Sequence, residues 1–345
     1  MIPRLPDPAA MSEAGTLARV LGPVTGVSAE PLVTTTGYSG SRHTRLHLRL
    51  ANGAARSLVL KRTQVAGDWL SARTDDRVGR EGQLLGEPSL DDVWSAFACP
   101  YLAWAAADGE VALLMDDLSD FILPDVREPI AVEHEAGMLA AVAAQHARYW
   151  ESPALDLPWL TRPAQLLGLL NATELARMAP AFPHPVVERA HAGWQVAFAR
   201  LPTRAAALLR QSPDDLAARA AHLPRTLTHG DFKVANFALL PDGRVAAFDW
   251  AVVGATPVAT ELGWHLAVNA TRLPGTKEES IVRYMSALES ALGRALGERF
   301  WKDTVESAVL MGAAMLLWSK AMALASGLPR AEAEWDWWVE RLEAL

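Results

Sequence analysis

Three residues set the chemistry to be explained. Asp231, Asn236 and Asp249 lie within nineteen residues, in the stretches Leu227-Thr-His-Gly-Asp-Phe-Lys-Val-Ala-Asn236 and Ala246-Ala-Phe-Asp-Trp250. Phosphoryl transfer from a nucleotide needs a group that aims the attacking hydroxyl and takes its proton. It also needs oxygen ligands for a divalent cation on the phosphates. A carboxylate, a carboxamide five residues later and a second carboxylate supply that set. Asp231 is the candidate base. Asn236 and Asp249 are the candidate Mg2+ ligands, since Mg2+ takes oxygen donors and usually only one or two protein carboxylates. Asn236 adds an oxygen without adding charge. Lys233 could touch the transferring phosphoryl group and relieve its developing charge; the plainer reading is a solvated loop lysine. His229 is read as an imidazole that braces the loop rather than as a metal ligand.

Asp249 must be held by the element before it. Phe237-Ala-Leu-Leu240, a turn at Pro241-Asp242-Gly243 and Arg244-Val-Ala-Ala-Phe248 read as a hairpin with the carboxylate at its exit. Upstream, Leu32-Val-Thr-Thr-Thr36 reads as a strand and Gly37-Tyr-Ser-Gly-Ser41 as a loop. Thr44–Leu50 and Arg56–Lys61 then form a hairpin whose Asn52-Gly53 signals a type I′ turn. A helix is expected over 77–85 and a strand over 111–115. Beyond residue 130 the spacing becomes helical. Met138, Val142, His146 and Trp150 share one face of a helix over 132–150. Further helices are expected over 163–178, 185–209, 278–295 and 302–325. His146, on an apolar face, reads as a satisfied core histidine. The chain is therefore expected to be α+β, with a β-rich nucleotide-binding lobe over 1–115 and a mostly helical catalytic and substrate-binding lobe over 116–345.

Composition narrows the partners. The 345 residues carry a formal net charge of −8, which argues against broad affinity for a nucleic-acid backbone. Cys99 is the single cysteine and reads as a small buried hydrophobe. The first residues lack the pattern of a signal peptide, and the apolar run Ala308–Trp318 is too short to span a bilayer and reads as a core helix. These features lead to the expectation of a cytoplasmic protein without membrane or nucleic-acid partners.

Taken together, the motifs resemble the aminoglycoside phosphotransferase and choline kinase family, including its ecdysteroid-kinase-like branch. The likeness covers residues 30–270 by motif order. It implies a bilobal protein-kinase-like fold with a small β-rich N-lobe and a larger, mostly helical C-lobe, and transfer of a phosphoryl group from ATP (or GTP) with Mg2+. His229-Gly-Asp231 with Asn236, and Phe248-Asp-Trp250, match the two catalytic signatures. Gly37, Ser39, Gly40 and Ser41 stand at the phosphate loop, where glycines let amides approach phosphate and serines donate hydroxyls. Lys61 stands at the nucleotide lysine and Glu81 at its carboxylate partner. A lysine closing an apolar strand needs such partners. Met115, Asp116, Asp117 and Leu118 stand at the connector between lobes. One departure is that Glu261-Leu262 replaces the structural aspartate–leucine pair that follows the second metal carboxylate, which leaves the bracing of the loop open.

The expected reaction is transfer of the γ-phosphoryl group to a hydroxyl of a small molecule, with Asp231 as base. Two other readings stand beside it: a nucleotide-binding module without turnover, and a metal-dependent hydrolase using His229, Asp231 and Asp249. Trp264, Trp301, Trp318, Trp335, Trp337 and Trp338 crowd the last quarter of the chain. They could line an acceptor pocket, although core packing explains them more simply. Glu332, Glu334, Asp336 and Glu340 could attract amines or merely form a solvated face.

Overall fold

The computed structural model describes residues 1–33, 39–124, 126–178 and 184–345. The chain forms two compact units, one built on a β-sheet and one mainly helical, in an α+β fold. The first is Met1–Leu123 together with Phe237–Ala251; the second is Pro124–Asn236 together with Val252–Leu345.

The first unit is built on six strands: β1 (Arg4–Leu5), β2 (Val24–Leu32), β3 (Arg42–Leu50), β4 (Ala55–Gln64), β5 (Tyr101–Ala107) and β6 (Glu110–Asp116). Their order in the sheet is β1-β5-β6-β4-β3-β2. Every pairing is antiparallel except that of β1 with β5. Because strand side chains alternate, Leu58 and Leu60 of β4 face one side of the sheet and Lys61 the other. On the first side Leu46, Leu48, Leu58, Leu60 and Leu114 bury against Met11 and Leu17, the latter on helix Ala14–Leu21. On the other side lies the short helix Arg80–Gly86. It comes close because Gly82 and Gly86 have no Cβ; one added at Gly86 would stand 2.6 Å from the Trp104 ring. The helix starts cleanly because Asp76 accepts hydrogen bonds from the amides of Val78, Gly79 and Arg80.

The β3–β4 hairpin forms as expected, but its turn is not type I′. That turn needs positive φ at both central residues, and here only Gly53 has it, at 83°. Leu50 accepts from the Gly53 amide at 2.9 Å, and Asn52 Oδ1 accepts from the Ala54 amide at 3.0 Å. The loop thus spends one residue more than a two-residue turn and places glycine alone in the left-handed position. Of the strand expected over Leu32–Thr36, Leu32 is the last residue of β2 and Val33 lies just past it. Residues 34–38, including Gly37, lie outside the described residues.

The hairpin of Phe237–Ala251 consists of β8 (Phe237–Leu239) and β9 (Val245–Ala247), with Gly243 at φ 84° in the turn, as the Pro-Asp-Gly signal predicts. Its predecessor in the chain, β7 (Arg225–Thr228), pairs instead with β10 (Gly254–Pro257) in the second unit.

The second unit is helical. Helix Val132–Arg148 buries Met138, Val142 and His146, in agreement with the periodicity. The expected helices over 163–178 and 185–209 are each broken in two. The first becomes Pro163–Gly168 and Ala172–Met178, because Asn171 Oδ1 accepts from the Thr173 and Glu174 amides and starts a new helix. The second becomes Pro185–Phe198 and Thr203–Leu209, since Pro202 disfavours helical backbone at the residue before it. Helix Lys277–Leu292 follows a Thr276–Glu279 capping box. Helix Glu298–Ala325 has the length and apolarity to cross a bilayer, yet 67% of its most apolar window is buried inside the unit. It crosses helix Val258–Val268 backbone to backbone. A Cβ on Gly263 would meet the Ala308 carbonyl at 2.2 Å, and one on Gly312 the Gly263 carbonyl at 2.4 Å. Trp301, Trp318, Trp335 and Trp338 are buried in this unit, whereas Trp264 and Trp337 are half-exposed.

Candidate active site

In the first unit the candidate residues assemble around Lys61. β4 lies inside the sheet, so the ammonium cannot escape over an edge, and its side chain is 5% exposed. It bonds Glu81 Oε2 at 2.6 Å and Asp249 Oδ1 at 2.6 Å. Burial alone would pull the Lys61 pKa down, but the Asp249 and Glu81 charges outweigh it and hold the ammonium above its usual range. Glu81 is saturated on its other oxygen, which accepts from the Tyr101 hydroxyl at 2.7 Å and the Trp250 amide at 3.2 Å. Burial and the neighbouring Glu81 carboxylate raise the Tyr101 phenol well above its usual range, so it stays a donor. Tyr101 escaped sequence reasoning, for it lies twenty residues from Glu81 in an apolar strand. His43, paired with Lys61 across the β3–β4 ladder, was also missed. Burial and the Lys61 charge hold its imidazole below the usual range.

Asp249 reaches Lys61 through an unusual backbone. Its φ is 66°, a left-handed conformation that few non-glycine residues adopt. The next residue anchors it: Trp250 is fully buried, edge-on to Trp94 and Phe97 at 5.9 and 5.6 Å between ring centres.

Elsewhere in this unit, the Gly40 amide donates to Asp68 Oδ1 at 2.7 Å, while Ser41 Oγ shares a hydrogen bond with Thr63 Oγ1 at 2.7 Å and receives one from Ser39 Oγ at 3.2 Å. Asp68 also caps helix Trp69–Thr74 through Ser71, so the end of the loop is tied to that helix. The connector residues are held by the sheet. Asp116 accepts from Arg56 at 2.6 Å, and Asp117 Oδ2 accepts from Arg45 and Ser57 at 2.8 Å each. Burial opposes ionisation of Asp117, but hydrogen bonds from Ser119, Ser57 and Arg45 keep its carboxyl below the usual range. Met115 is buried, and Leu118 packs with Ala98, Ala238 and Ala246. Cys99 is half-buried rather than fully buried, and burial pushes its thiol up to about 11, which disfavours a thiolate nucleophile.

The second unit holds Asp231. Its Oδ1 accepts from the Trp264 indole Nε1 at 2.8 Å and its Oδ2 from Asn236 Nδ2 at 2.9 Å. Asn236 Nδ2 also donates to the Asp231 carbonyl at 3.0 Å. The Asn236 nitrogen thus serves Asp231, and the carboxamide oxygen is the other polar atom of that side chain. The Lys233 ammonium stands 3.7 Å from Asp231 Oδ2. His229 Nδ1 accepts from the Asp231 amide at 3.3 Å, so the imidazole braces the loop as expected. Among the described residues no three His, Cys, Asp or Glu side chains form a metal-binding group. Taken singly, the Asn236 carboxamide and the Asp249 carboxylate are oxygen donors of the kind that Mg2+ takes.

The bracing left open by Glu261 is supplied by Glu261 itself. Fully buried, it accepts from the His229 amide at 3.0 Å, the Gly230 amide at 2.7 Å and His146 Nε2 at 2.8 Å. Burial opposes its charge, yet the His146 hydrogen bond and the nearby imidazoles keep its carboxyl below the usual range. His146 is a satisfied core histidine, since its Nδ1 meets the Tyr284 hydroxyl at 2.7 Å, and through Glu261 it also supports the loop. Gly230 is required at φ 83°; a Cβ there would stand 2.3 Å from the Val252 carbonyl.

The Trp-rich end of the chain is largely internal. Trp337 stacks against the Lys277 ammonium at 4.7 Å, and Glu334 pairs with Lys277 and Lys320. Glu332, Asp336 and Glu340 are exposed.

Comparison with known proteins bears on this geometry. The chain is similar in fold to the macrolide 2'-phosphotransferase of Brachybacterium faecium, with 18% identity, 97% of each chain covered and a TM-score of 0.46. It is also similar to the choline kinase of Streptococcus pneumoniae, with 13% identity, 96% of this chain and 97% of that one covered, and a TM-score of 0.48. A Plasmodium vivax ethanolamine kinase shows 11% identity over 97% of this chain and 85% of its own, with a TM-score of 0.47. A search of curated proteins returned no match. The sequence profile of the phosphotransferase enzyme family matches residues 110–296, more than half of the chain, and the chain belongs to that family.

Proposed function

We propose that this protein transfers the γ-phosphoryl group of ATP, or of GTP, to a hydroxyl of a small molecule, with Mg2+ as the required cation and Asp231 as the base. The observation that carries the reading is the pairing of Lys61 with both Glu81 and Asp249 at 2.6 Å. A buried ammonium fixed between a helix carboxylate and a second carboxylate is suited to receive the phosphates of a nucleotide and to hold Asp249 ready for a cation. Family membership supports the reaction class.

Each residue has a role in this reading. Lys61, oriented by Glu81, binds phosphate oxygens, and the loop of Gly37, Ser39, Gly40 and Ser41 covers them. Met115, Asp116, Asp117 and Leu118 border the nucleotide. Asn236 and Asp249 would each offer Mg2+ an oxygen, and the cation would offset charge on the phosphate oxygens. Asp231 accepts a hydrogen bond from the acceptor hydroxyl, sets its line of attack and takes its proton as the new oxygen–phosphorus bond forms. Lys233 neutralises charge on the oxygens of the transferring group. The products are a nucleoside diphosphate and the phosphate monoester of the acceptor.

The test is a screen of hydroxylated metabolites and antibiotics for consumption of Mg-ATP and Mg-GTP, with Asp231→Ala as control. The variant should lose turnover while Mg-ATP still raises its melting temperature, because mass action stabilises any folded state that binds ligand. Turnover by Asp231→Ala at the wild-type rate would remove Asp231 from the chemistry.

A further inference from the structure

Helix Val258–Val268 and its C-cap Asn269 touch the catalytic loop at successive points. Glu261 accepts from the amides of His229 and Gly230. Trp264, three residues on, donates to the Asp231 carboxylate. His265 stacks on Phe232 at 4.3 Å between ring centres. Asn269 donates to the Phe232 carbonyl at 2.9 Å and accepts from the Val234 amide at 2.9 Å. Residues three and four apart share one helix face, so these four side chains form a single stripe. The order of residues along the stripe matches the order of the loop residues they hold, from 229 to 234. The helix is in turn fixed by its backbone contact with helix Glu298–Ala325 at Gly263 and Gly312.

Only one member of the stripe touches the base. We infer that Trp264 is a positioning residue for Asp231, an assignment that rests on the phosphotransfer reading given above. The indole N–H at 2.8 Å and Asn236 Nδ2 at 2.9 Å place one donor on each carboxylate oxygen. Two donors fix both the side-chain rotamer and the plane of the carboxylate. Without the indole N–H, Oδ1 loses its fixed partner and the carboxylate can rotate toward Lys233, 3.7 Å from Oδ2. The acceptor hydroxyl would then meet a base whose direction is not set, and misplacement of this kind is felt in the chemical step rather than in nucleotide binding.

Trp264→Phe keeps the ring and removes the N–H. With Mg-ATP and water as acceptor, kcat should fall roughly 10- to 100-fold, the range for one hydrogen bond to a charged group, with KM for ATP and the melting temperature close to wild type. An independent arm needs no turnover. In the 1H–15N spectrum of the full chain, the indole resonance missing from Trp264→Phe should shift in Asp231→Ala. If Trp264→Phe does not fold, Trp264→Tyr identifies the same resonance. An unchanged kcat in Trp264→Phe overturns the assignment, and so does an indole resonance indifferent to Asp231→Ala. If the wild type consumes no nucleotide under any condition, the phosphotransfer reading fails, and the resonance still decides whether the indole holds the carboxylate.

Discussion

Glu261→Gln is the substitution that asks most of the second unit. The wild-type carboxylate takes three donors: the amides of His229 and Gly230 at 3.0 and 2.7 Å and His146 Nε2 at 2.8 Å. Glutamine has the same shape but only one oxygen. If that oxygen faces His229 and His146, the NH2 group meets the Gly230 N–H. If it is reversed, the NH2 group meets two donors. The better orientation still loses one charge-assisted hydrogen bond and buries opposed donors, for which about 3 kcal/mol is a fair expectation. At 2–4 °C per kcal/mol for a unit of this size, the melting temperature should drop by roughly 6–12 °C. Scanning calorimetry of the full chain measures it. Because Gly230 leads into Asp231, Mg-ATP turnover should also fall more than in a surface variant of matched stability. A melting temperature within about 2 °C of wild type, less than the smallest shift expected for 1 kcal/mol, would refute the claim that this carboxylate holds the loop.

Two further outcomes are expected. Gly230→Ala forces a Cβ to 2.3 Å from the Val252 carbonyl at a φ of 83°, so it should cost about 3 kcal/mol or more and be visible as insoluble or early-melting protein. Acid should weaken the second unit through Glu261 and Glu135. Both carboxyls sit below the usual value of 4.5 in the folded chain, so the unfolded chain binds their protons more readily. Their contribution is therefore whole above about pH 4.5 and drains as the pH falls through their folded values. Urea unfolding from pH 7 to pH 3 checks this, and Glu261→Gln should flatten the slope.

The legible part of the site was the part written in contiguous sequence. Asp231 and Asn236 lie on one loop, Asp249 leaves a hairpin whose Pro-Asp-Gly turn is local chemistry, and Lys61 follows an apolar run within its strand, where an unpartnered ammonium could not persist. What escaped depends on distance along the chain. Tyr101 meets Glu81 only because β5 and helix Arg80–Gly86 share one face of the sheet. The stripe Glu261, Trp264, His265, Asn269 did leave a trace, as polar side chains at helical spacing on an otherwise apolar helix; its target could not be read until the loop beside it was known. The type I′ turn failed because Asn-Gly also closes longer loops with glycine alone left-handed. The two broken helices failed because a periodicity search sums over a side-chain cap at Asn171 and over Pro202.

The hairpin Phe237–Ala251 belongs with the first unit although the second unit's chain precedes and follows it. During synthesis, Lys61 and Glu81 leave the ribosome long before Asp249 does. The sheet can form early, but it waits for more than a hundred further residues before the second carboxylate reaches its lysine. A chain halted before residue 249 would therefore carry a buried ammonium facing one carboxylate instead of two. A single cut anywhere between residues 124 and 236 leaves the same defect, because it parts Lys61 and Glu81 from Asp249.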